Sequence, residues 1–273
     1  MKKQIAIIGG GNLGQALARG FLDSKYCEAN DLIVTRRHTE SLNDWINRGV
    51  QITSDNQAAC QKADIILFCV QPRQLLSLLK ELKPVLTNKQ TIVSTVTGIS
   101  LKDIEQILGN DKVIFRAMPN TAVAIRESMT CISASKTATK EKQTEITELF
   151  KNVGEAIIIE EEQMASATVL AACGIAFALR YIRATAQGGI EVGFESDLAH
   201  KIAAQTVKGA AQLLQETGHH PESEIDRVTT PQGCTIAGLN EMEHRGFSSA
   251  LIKGISTSFN KIAKIATDSH KDS

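Results

Sequence analysis

The chain has 273 residues, of which 42% are hydrophobic and 22% charged, and thirty basic residues balance thirty acidic ones. This composition is typical of a soluble globular protein, and zero net charge gives no field that would favour nucleic acid or an acidic membrane. No uninterrupted apolar run reaches the roughly 18 residues that a membrane-spanning helix needs, and the first apolar stretch is too short and glycine-rich for a signal peptide. We therefore expect a cytoplasmic protein with neither a nucleic-acid nor a membrane partner.

The cysteines and histidines follow no metal-binding or disulfide pattern. Six cysteines are scattered without a C-x-x-C pair, and the six histidines do not recur at ligand spacing. Free thiols in apolar surroundings behave as small hydrophobic groups, and disulfides are rare in a reducing compartment. The sequence predicts neither a metal site nor a disulfide.

Glycines near the N-terminus form the most informative motif. The apolar residues 5–8 are followed by Gly9, Gly11 and Gly14, and a helical pattern begins at once. This G-x-G-x-x-G spacing between a strand and a helix predicts a dinucleotide site, because backbone N–H groups at the helix start can hold the pyrophosphate. A glycine-rich hairpin or an ordinary strand-to-helix turn is the alternative. The residues assigned to the cofactor here are Ile8, Gly9, Gly10, Gly11, Asn12, Leu13 and Gly14.

The end of the second predicted strand indicates which dinucleotide is bound. Residues 31–35 are predicted to form a short strand that ends at Thr35, and Arg36 and Arg37 follow. An NAD site has an acidic residue at about this distance, roughly twenty residues beyond the last glycine, for the ribose 2′-hydroxyl. Guanidinium groups instead pair with a phosphate. Thr35, Arg36 and Arg37 therefore predict NADPH, unless the arginines only decorate a surface loop.

Alternating strands and helices in the first half predict a doubly wound parallel sheet of the Rossmann type. Further strands are expected at residues 50–53, 63–70, 90–95 and 112–116. Ligands of such sheets bind beyond the carboxyl ends of the strands. The residues that follow the strands, and that we therefore add to the cofactor site, are Asn56, Val70, Gln71, Pro72, Thr97, Pro119 and Asn120.

The character of the chain changes after two more predicted strands, at residues 129–133 and 156–159. Residues 164–186 are apolar on nearly every side of a helix, and such a helix must be buried on nearly every side. Three helical segments follow, and no strand. We expect a Rossmann domain at 1–161 and an all-α domain at 162–273 that packs against its copy in a homodimer.

Several longer segments, spread over essentially the whole chain, resemble those of the pyrroline-5-carboxylate reductase family. Besides the glycine loop and Thr35–Arg37, the matching segments are 97–100, 116–121, 149–154, 203–211 and 228–239. The most specific are Met118-Pro119-Asn120-Thr121 and the segment Thr235-Ile236-Ala237-Gly238-Leu239. Position 71 is glutamine, where the family usually has lysine.

The resemblance implies an NADPH-binding domain followed by a helical dimerisation domain, with the active site between them and with dimers that assemble further. A hydride passes from the nicotinamide to the imine carbon of a five-membered ring, which yields L-proline. The substrate carboxylate binds the start of the helix near Gly233, and Thr235, the catalytic residue, hydrogen-bonds the ring nitrogen. The other residues that we place with the small-molecule substrate are Thr230, Cys234, Glu161, Cys173 and Gly174.

Two segments depart from the family pattern. Ala171–Ala176 replaces Ser-Gly-Ser-Gly-Pro-Ala, and Gln232 stands where the family has glycine. These changes add side chains near the substrate, so reduction of a related cyclic imine and NADP binding without turnover remain alternatives. A β-hydroxyacid dehydrogenase is disfavoured, because the central helix lacks the Lys and Asn that such catalysis requires.

Overall fold

The computed structural model describes residues 3–269, which form two compact units. The part of the chain up to Cys173, together with the part from Ser258 onward, makes the first unit, and Gly174–Thr257 makes the second. The division lies later than the predicted boundary after residue 161. The reason is local packing, since Ala167 and Ala171 are buried with Cys131 of the sheet.

An eight-stranded sheet in the order β3-β2-β1-β4-β5-β6-β7-β8 forms the centre of the first unit. This confirms the predicted Rossmann-type fold class, and every predicted strand is present, but the sheet is mostly parallel where a parallel one was predicted. The strands are β1 (Ile5–Ile8), β2 (Leu32–Thr35), β3 (Gln51–Thr53), β4 (Ile65–Phe68), β5 (Thr91–Ser94), β6 (Val113–Met118), β7 (Ser128–Ala134) and β8 (Gly154–Ile158).

One strand breaks the parallel pattern, because β7 runs antiparallel to β6. Only residues 119–127 connect these two strands. A parallel crossover needs a dozen or more residues, usually a helix, so a connection this short returns the chain in the opposite direction. The sequence pattern did not predict this reversal.

Helices cover both faces of the sheet. On one face Phe21 and Phe150 pack against β1 and β6, and on the other Leu75, Leu79 and Ile104 pack against β4 and β5. The central strands are buried on both sides, which accounts for their uninterrupted apolar runs. The helices of this unit are α1 (Asn12–Asp23), α2 (Asn43–Asn47), α3 (Asn56–Lys62), α4 (Pro72–Leu82), α5 (Leu101–Leu108), α6 (Lys140–Lys151) and α7 (Met164–Ala167).

Helices alone form the second unit, where α8 packs on α9 through Ala186, Ala199 and Ala203. A π-helical turn, Thr168–Cys173, joins α7 to α8. The remaining helices are α8 (Gly174–Glu191), α9 (Ser196–Thr217), α10 (Pro221–Val228), α11 (Cys234–His244) and α12 (Phe247–Ser269), which runs on into the first unit.

The predicted apolar helix leaves most of its surface uncovered in the single chain. Within Glu161–Glu191 an 18-residue window has a mean hydropathy of 1.6, and the helix is therefore long and apolar enough to cross a membrane, by length and composition only. Leu179, for example, is 59% exposed. Core helices of soluble proteins can have this composition when a partner covers them.

Candidate active site

The glycine loop after β1 has the geometry of a phosphate cradle. Gly9 has φ +113°, and a Cβ there would lie 2.6 Å from the Cys69 carbonyl oxygen. A Cβ on Gly14 would lie 2.2 Å from the Gly9 carbonyl oxygen, whereas one on Gly11 would meet no atom within 4 Å. The first and third glycines are therefore required by packing. Gly11 keeps the start of α1 open to a ligand.

A chain of hydrogen bonds holds this loop against the end of β2. The Gly10 amide donates to the Thr35 carbonyl at 2.7 Å, and the Gly10 carbonyl accepts from Arg36 Nη1 at 3.1 Å. The same carbonyl accepts from Gln15 Nε2, and the Gln15 amide oxygen accepts from the buried Trp45 Nε1. Arg36 thus ties the cradle in place with one donor and keeps its other donors for a ligand.

A cleft of about 560 Å³ opens along the carboxyl ends of the central strands. The structure brings together ten of the predicted cofactor residues in its walls: Ile8, Gly9, Gly10, Gly11, Thr35, Arg36, Arg37, Asn56, Val70 and Gln71. Its size and its basic end suit an elongated anionic ligand.

Seven predicted cofactor residues are not in the walls of this cleft: Asn12, Leu13, Gly14, Pro72, Thr97, Pro119 and Asn120. Gly14 and Pro119 are buried, and the Thr97 hydroxyl faces Met118 Sδ at 3.8 Å. Pro72 begins α4, where its missing N–H leaves no unpaired donor.

Seven further cleft residues were not predicted from the sequence: His38, Cys69, Arg73, Gln74, Ser77, Leu78 and Glu81. Five of these belong to α4, and Arg73, Ser77 and Glu81 follow at i, i+4 and i+8. That spacing places them on one helix face, which was the signal available in the sequence.

The thiol of Cys69, at the end of β4, contributes no charge to the cleft. Burial raises the pKa of Cys69 to about 12, although a hydrogen bond with Thr95 acts in the opposite direction. The thiol is therefore neutral at physiological pH and does not repel an anion.

Asn120 joins the end of β6 to the π-helical turn. Its side-chain oxygen accepts from the Ala122 amide at 2.9 Å, and its Nδ2 donates to the Ala171 carbonyl at 3.1 Å. Cys173 ends this turn and Gly174 begins α8. π-Helical turns are rare and frequently lie at functional sites. The irregularity coincides with the segment that departs from the family pattern.

The carboxylate of Glu161, which was predicted to be a substrate residue, accepts hydrogen bonds from three donors of the first unit, called the sheet unit below. Oε1 accepts from Arg116 Nη1 at 2.7 Å and from the Leu101 amide at 3.0 Å, and Oε2 accepts from the Ser133 hydroxyl. Arg116 is 6% exposed. The carboxylate therefore joins β6, β7 and the start of α5, which is a structural role.

The start of α11 is an open helix N-terminus. Gly233 caps it without a side chain, and the Gly233 amide donates to the Thr230 carbonyl at 3.0 Å. Gln232 has φ +59° in this turn, a conformation that favours glycine. Cys234 and Thr235 form the first turn, whose N–H groups have no intrahelical acceptor. A carboxylate fits such a terminus.

The residues of the cleft fit NADP. A cradle whose first and third glycines, Gly9 and Gly14, cannot carry a Cβ, an open helix start and a basic end supply what a pyrophosphate and a 2′-phosphate require. Between residues 3 and 269 no group of three His, Cys, Asp or Glu side chains is arranged to hold a metal ion.

Comparison with known proteins decides the family. Residues 161–265 match the family described as pyrroline-5-carboxylate reductase dimerisation, and residues 4–98 match that described as NADP oxidoreductase, coenzyme F420-dependent. Pyrroline-5-carboxylate reductase 2 of Dictyostelium discoideum is 47% identical, over 96% of this chain and 93% of its own length. The chain belongs to the pyrroline-5-carboxylate reductase family. It is therefore an NADP-dependent oxidoreductase.

One further sequence relative and one solved structure are also similar to this chain. Pyrroline-5-carboxylate reductase 1 of Dictyostelium discoideum is 46% identical over 98% of this chain, although the chain spans only 51% of that relative. The crystal structure of Plasmodium falciparum pyrroline carboxylate reductase with NADP bound has a TM-score of 0.90 at 22% identity, covering 97% of this chain and 99% of its own. The dimerisation match supports homo-oligomerisation of this chain.

Proposed function

We propose that this chain reduces 1-pyrroline-5-carboxylate to L-proline with NADPH as the hydride donor. The observation that carries the proposal is the 47% identity to a pyrroline-5-carboxylate reductase over nearly the full length of both chains. The direct test is a steady-state assay of NADPH oxidation with this imine and with its six-membered-ring homologue. Turnover of only the larger ring would favour a related cyclic imine, and NADPH binding without turnover of either would favour a non-catalytic homologue.

The glycine loop and the end of β2 hold the cofactor in this proposal. N–H groups at the start of α1 bind the pyrophosphate, and Arg36 and Arg37 bind the 2′-phosphate. When bound, NADPH supplies a hydride. The protein then has only to position the two reactants, which agrees with the absence of an acid–base pair from the sequence motifs.

The start of α11 receives the substrate in this proposal. Its free N–H groups and helix dipole bind the carboxylate. The Thr235 hydroxyl, which makes no hydrogen bond within the described part of the chain, orients the ring nitrogen. An imine that arrives protonated needs no strong general acid. Thr230, Gly233 and Cys234 shape the turn before Thr235.

We further propose that the apolar helix is covered by a second copy of the chain and not by a membrane. Arg180 and Arg183 lie within it, and charges at the centre of a bilayer are costly. The uncovered apolar residues continue onto α9 and α12, as a self-complementary dimer face requires. A cytoplasmic homodimer that can assemble further, without nucleic acid or membrane, is the assembly we propose.

Cofactor preference tests the basic end of the cleft. We expect NADPH to bind at least ten-fold more tightly than NADH, because charge-assisted contacts contribute about 1.5–3 kcal/mol each. The Arg36→Ala/Arg37→Ala variant should lose most of this ratio. Arg36 also holds Gly10, so NADH affinity should fall slightly as well, and the ratio of the two dissociation constants is the quantity to measure.

Arg19→Ala provides the control for this titration. Arg19 is an exposed arginine on α1 and is not in the cleft walls, so its loss should leave the ratio unchanged. Equal dissociation constants for the two cofactors in the wild type would contradict the NADPH assignment.

Thr235→Val tests the substrate side. Valine keeps the shape and removes one hydrogen bond to a charged group, so we expect kcat/KM to fall about ten- to a hundred-fold. NADPH affinity should hardly change. Thr217→Val, which removes a hydroxyl bonded to the Leu213 carbonyl at the end of α9, is the control and should leave kinetics unchanged. A Thr235→Val variant with a lower melting temperature but normal kcat/KM would reduce Thr235 to a helix-stabilising residue.

A further inference from the structure

A second wall of the cleft carries a cation that the proposed function does not use. Arg73 lies in the first turn of α4 and faces the same cleft as Arg36, Arg37 and His38. Within the described part of the chain, neither Arg37 nor Arg73 makes a hydrogen bond or an ion pair through its guanidinium. Two unpaired guanidinium groups therefore converge on one cavity.

Arg73 does not stabilise α4, because its positive charge lies at the start of the helix. The helix dipole disfavours a cation in the first turn, and α4 has no acidic residue there to compensate. Among the described residues, Glu81 is the only carboxylate in the cleft walls, and its backbone lies about 12 Å further along the helix at 1.5 Å per residue. That separation exceeds the Debye length at physiological salt, so Glu81 does not neutralise Arg73.

The sheet order decides what Arg73 can reach. Arg37 follows β2 and Arg73 follows β4, and β1 lies between these strands. Neighbouring strands are spaced by about 4.8 Å, so the two chain segments start about 10 Å apart. Two extended arginine side chains bridge a gap of this size with one phosphate between them. The glycine cradle follows β1, and so it lies between these two segments.

We propose that Arg73 is a specificity-determining residue that contacts the 2′-phosphate of NADPH from the α4 side, opposite Arg37. This inference rests on the proposed NADPH-dependent function and deepens it. The site is then a two-sided clamp, and selectivity for the 2′-phosphate is divided between the end of β2 and the start of α4. For this reason a small part of the preference should survive in Arg36→Ala/Arg37→Ala.

Calorimetric titration of the whole chain with adenosine 2′,5′-bisphosphate and with AMP tests the clamp, since the two probes differ only in the 2′-phosphate. Arg73→Ala should weaken the bisphosphate about ten-fold and leave AMP within two-fold. Arg73→Lys should recover part of the loss, because lysine keeps the charge but not the bidentate geometry. Lys80→Ala removes the same charge from an exposed position of α4 outside the cleft and should change neither constant.

Three outcomes would overturn the inference. Unchanged bisphosphate binding in Arg73→Ala, while the wild type still prefers the bisphosphate to AMP, would refute the role of Arg73 and leave the proposed cofactor intact. Equal weakening of both probes would place Arg73 on the shared adenosine. A wild type that does not distinguish the probes would refute the clamp together with the NADPH assignment.

Discussion

Replacing Arg116 by methionine is expected to lower the free energy of unfolding of the sheet unit by about 3 kcal/mol. The guanidinium is buried and lies 2.7 Å from Glu161. Breaking a buried pair by removing one partner costs about 3–5 kcal/mol, because the other charge is left uncompensated. We take the lower figure because the Glu161 side chain is 26% exposed. The melting temperature should fall by about 6–12 °C.

Two further variants show whether the loss of stability in Arg116→Met comes from the ion pair between Arg116 and Glu161. Arg116→Met/Glu161→Gln removes both charges and leaves an amide whose oxygen can still accept from the Leu101 N–H and whose NH2 group can donate to the Ser133 hydroxyl, so part of the lost stability should return. Lys151→Met removes a cation from an exposed pair with Glu148 and should change stability by less than about 1 kcal/mol. An Arg116→Met protein as stable as wild type would show that the pair contributes nothing.

Leu179→Asp is expected to break the proposed dimer. Leu179 is 59% exposed in the single chain, so the substitution removes little packing within one subunit. In the dimer the new carboxylate would be buried without a partner, at a cost of several kcal/mol. Each 1.4 kcal/mol corresponds to a factor of ten in a dissociation constant. Sedimentation analysis should therefore show a dimer dissociation constant at least a hundred-fold higher than that of the wild type.

Ile46→Asp is the matched control for Leu179→Asp. Ile46 lies on α2 of the sheet unit and is 52% exposed, so the same apolar-to-acidic change is made at a similar exposure away from the helical unit. The assembly of this variant should equal that of the wild type. If Leu179→Asp and Ile46→Asp sedimented alike, the apolar surface of α8 would not be the dimer face.

The sequence by itself determined the order and type of most elements, although the short helix α10 was not predicted. Period-two and period-3.6 patterns are local properties, and so is the stereochemistry of a glycine. For that reason the eight strands, the glycine loop after β1 and the apolar helix after Glu161 could all be located without a structure. The rule that ligands bind beyond the carboxyl ends of parallel strands then brought together ten residues that line the cleft.

Only the tertiary structure decided which side chains of distant elements lie close together. The direction of β7 depends on a short connection, and the engagement of Glu161 depends on donors from α5, β6 and β7. Arg73 becomes a cleft residue only because β1 places α4 beside the end of β2. Such contacts join residues far apart along the chain, and a sequence pattern carries no measure of the distances that make them.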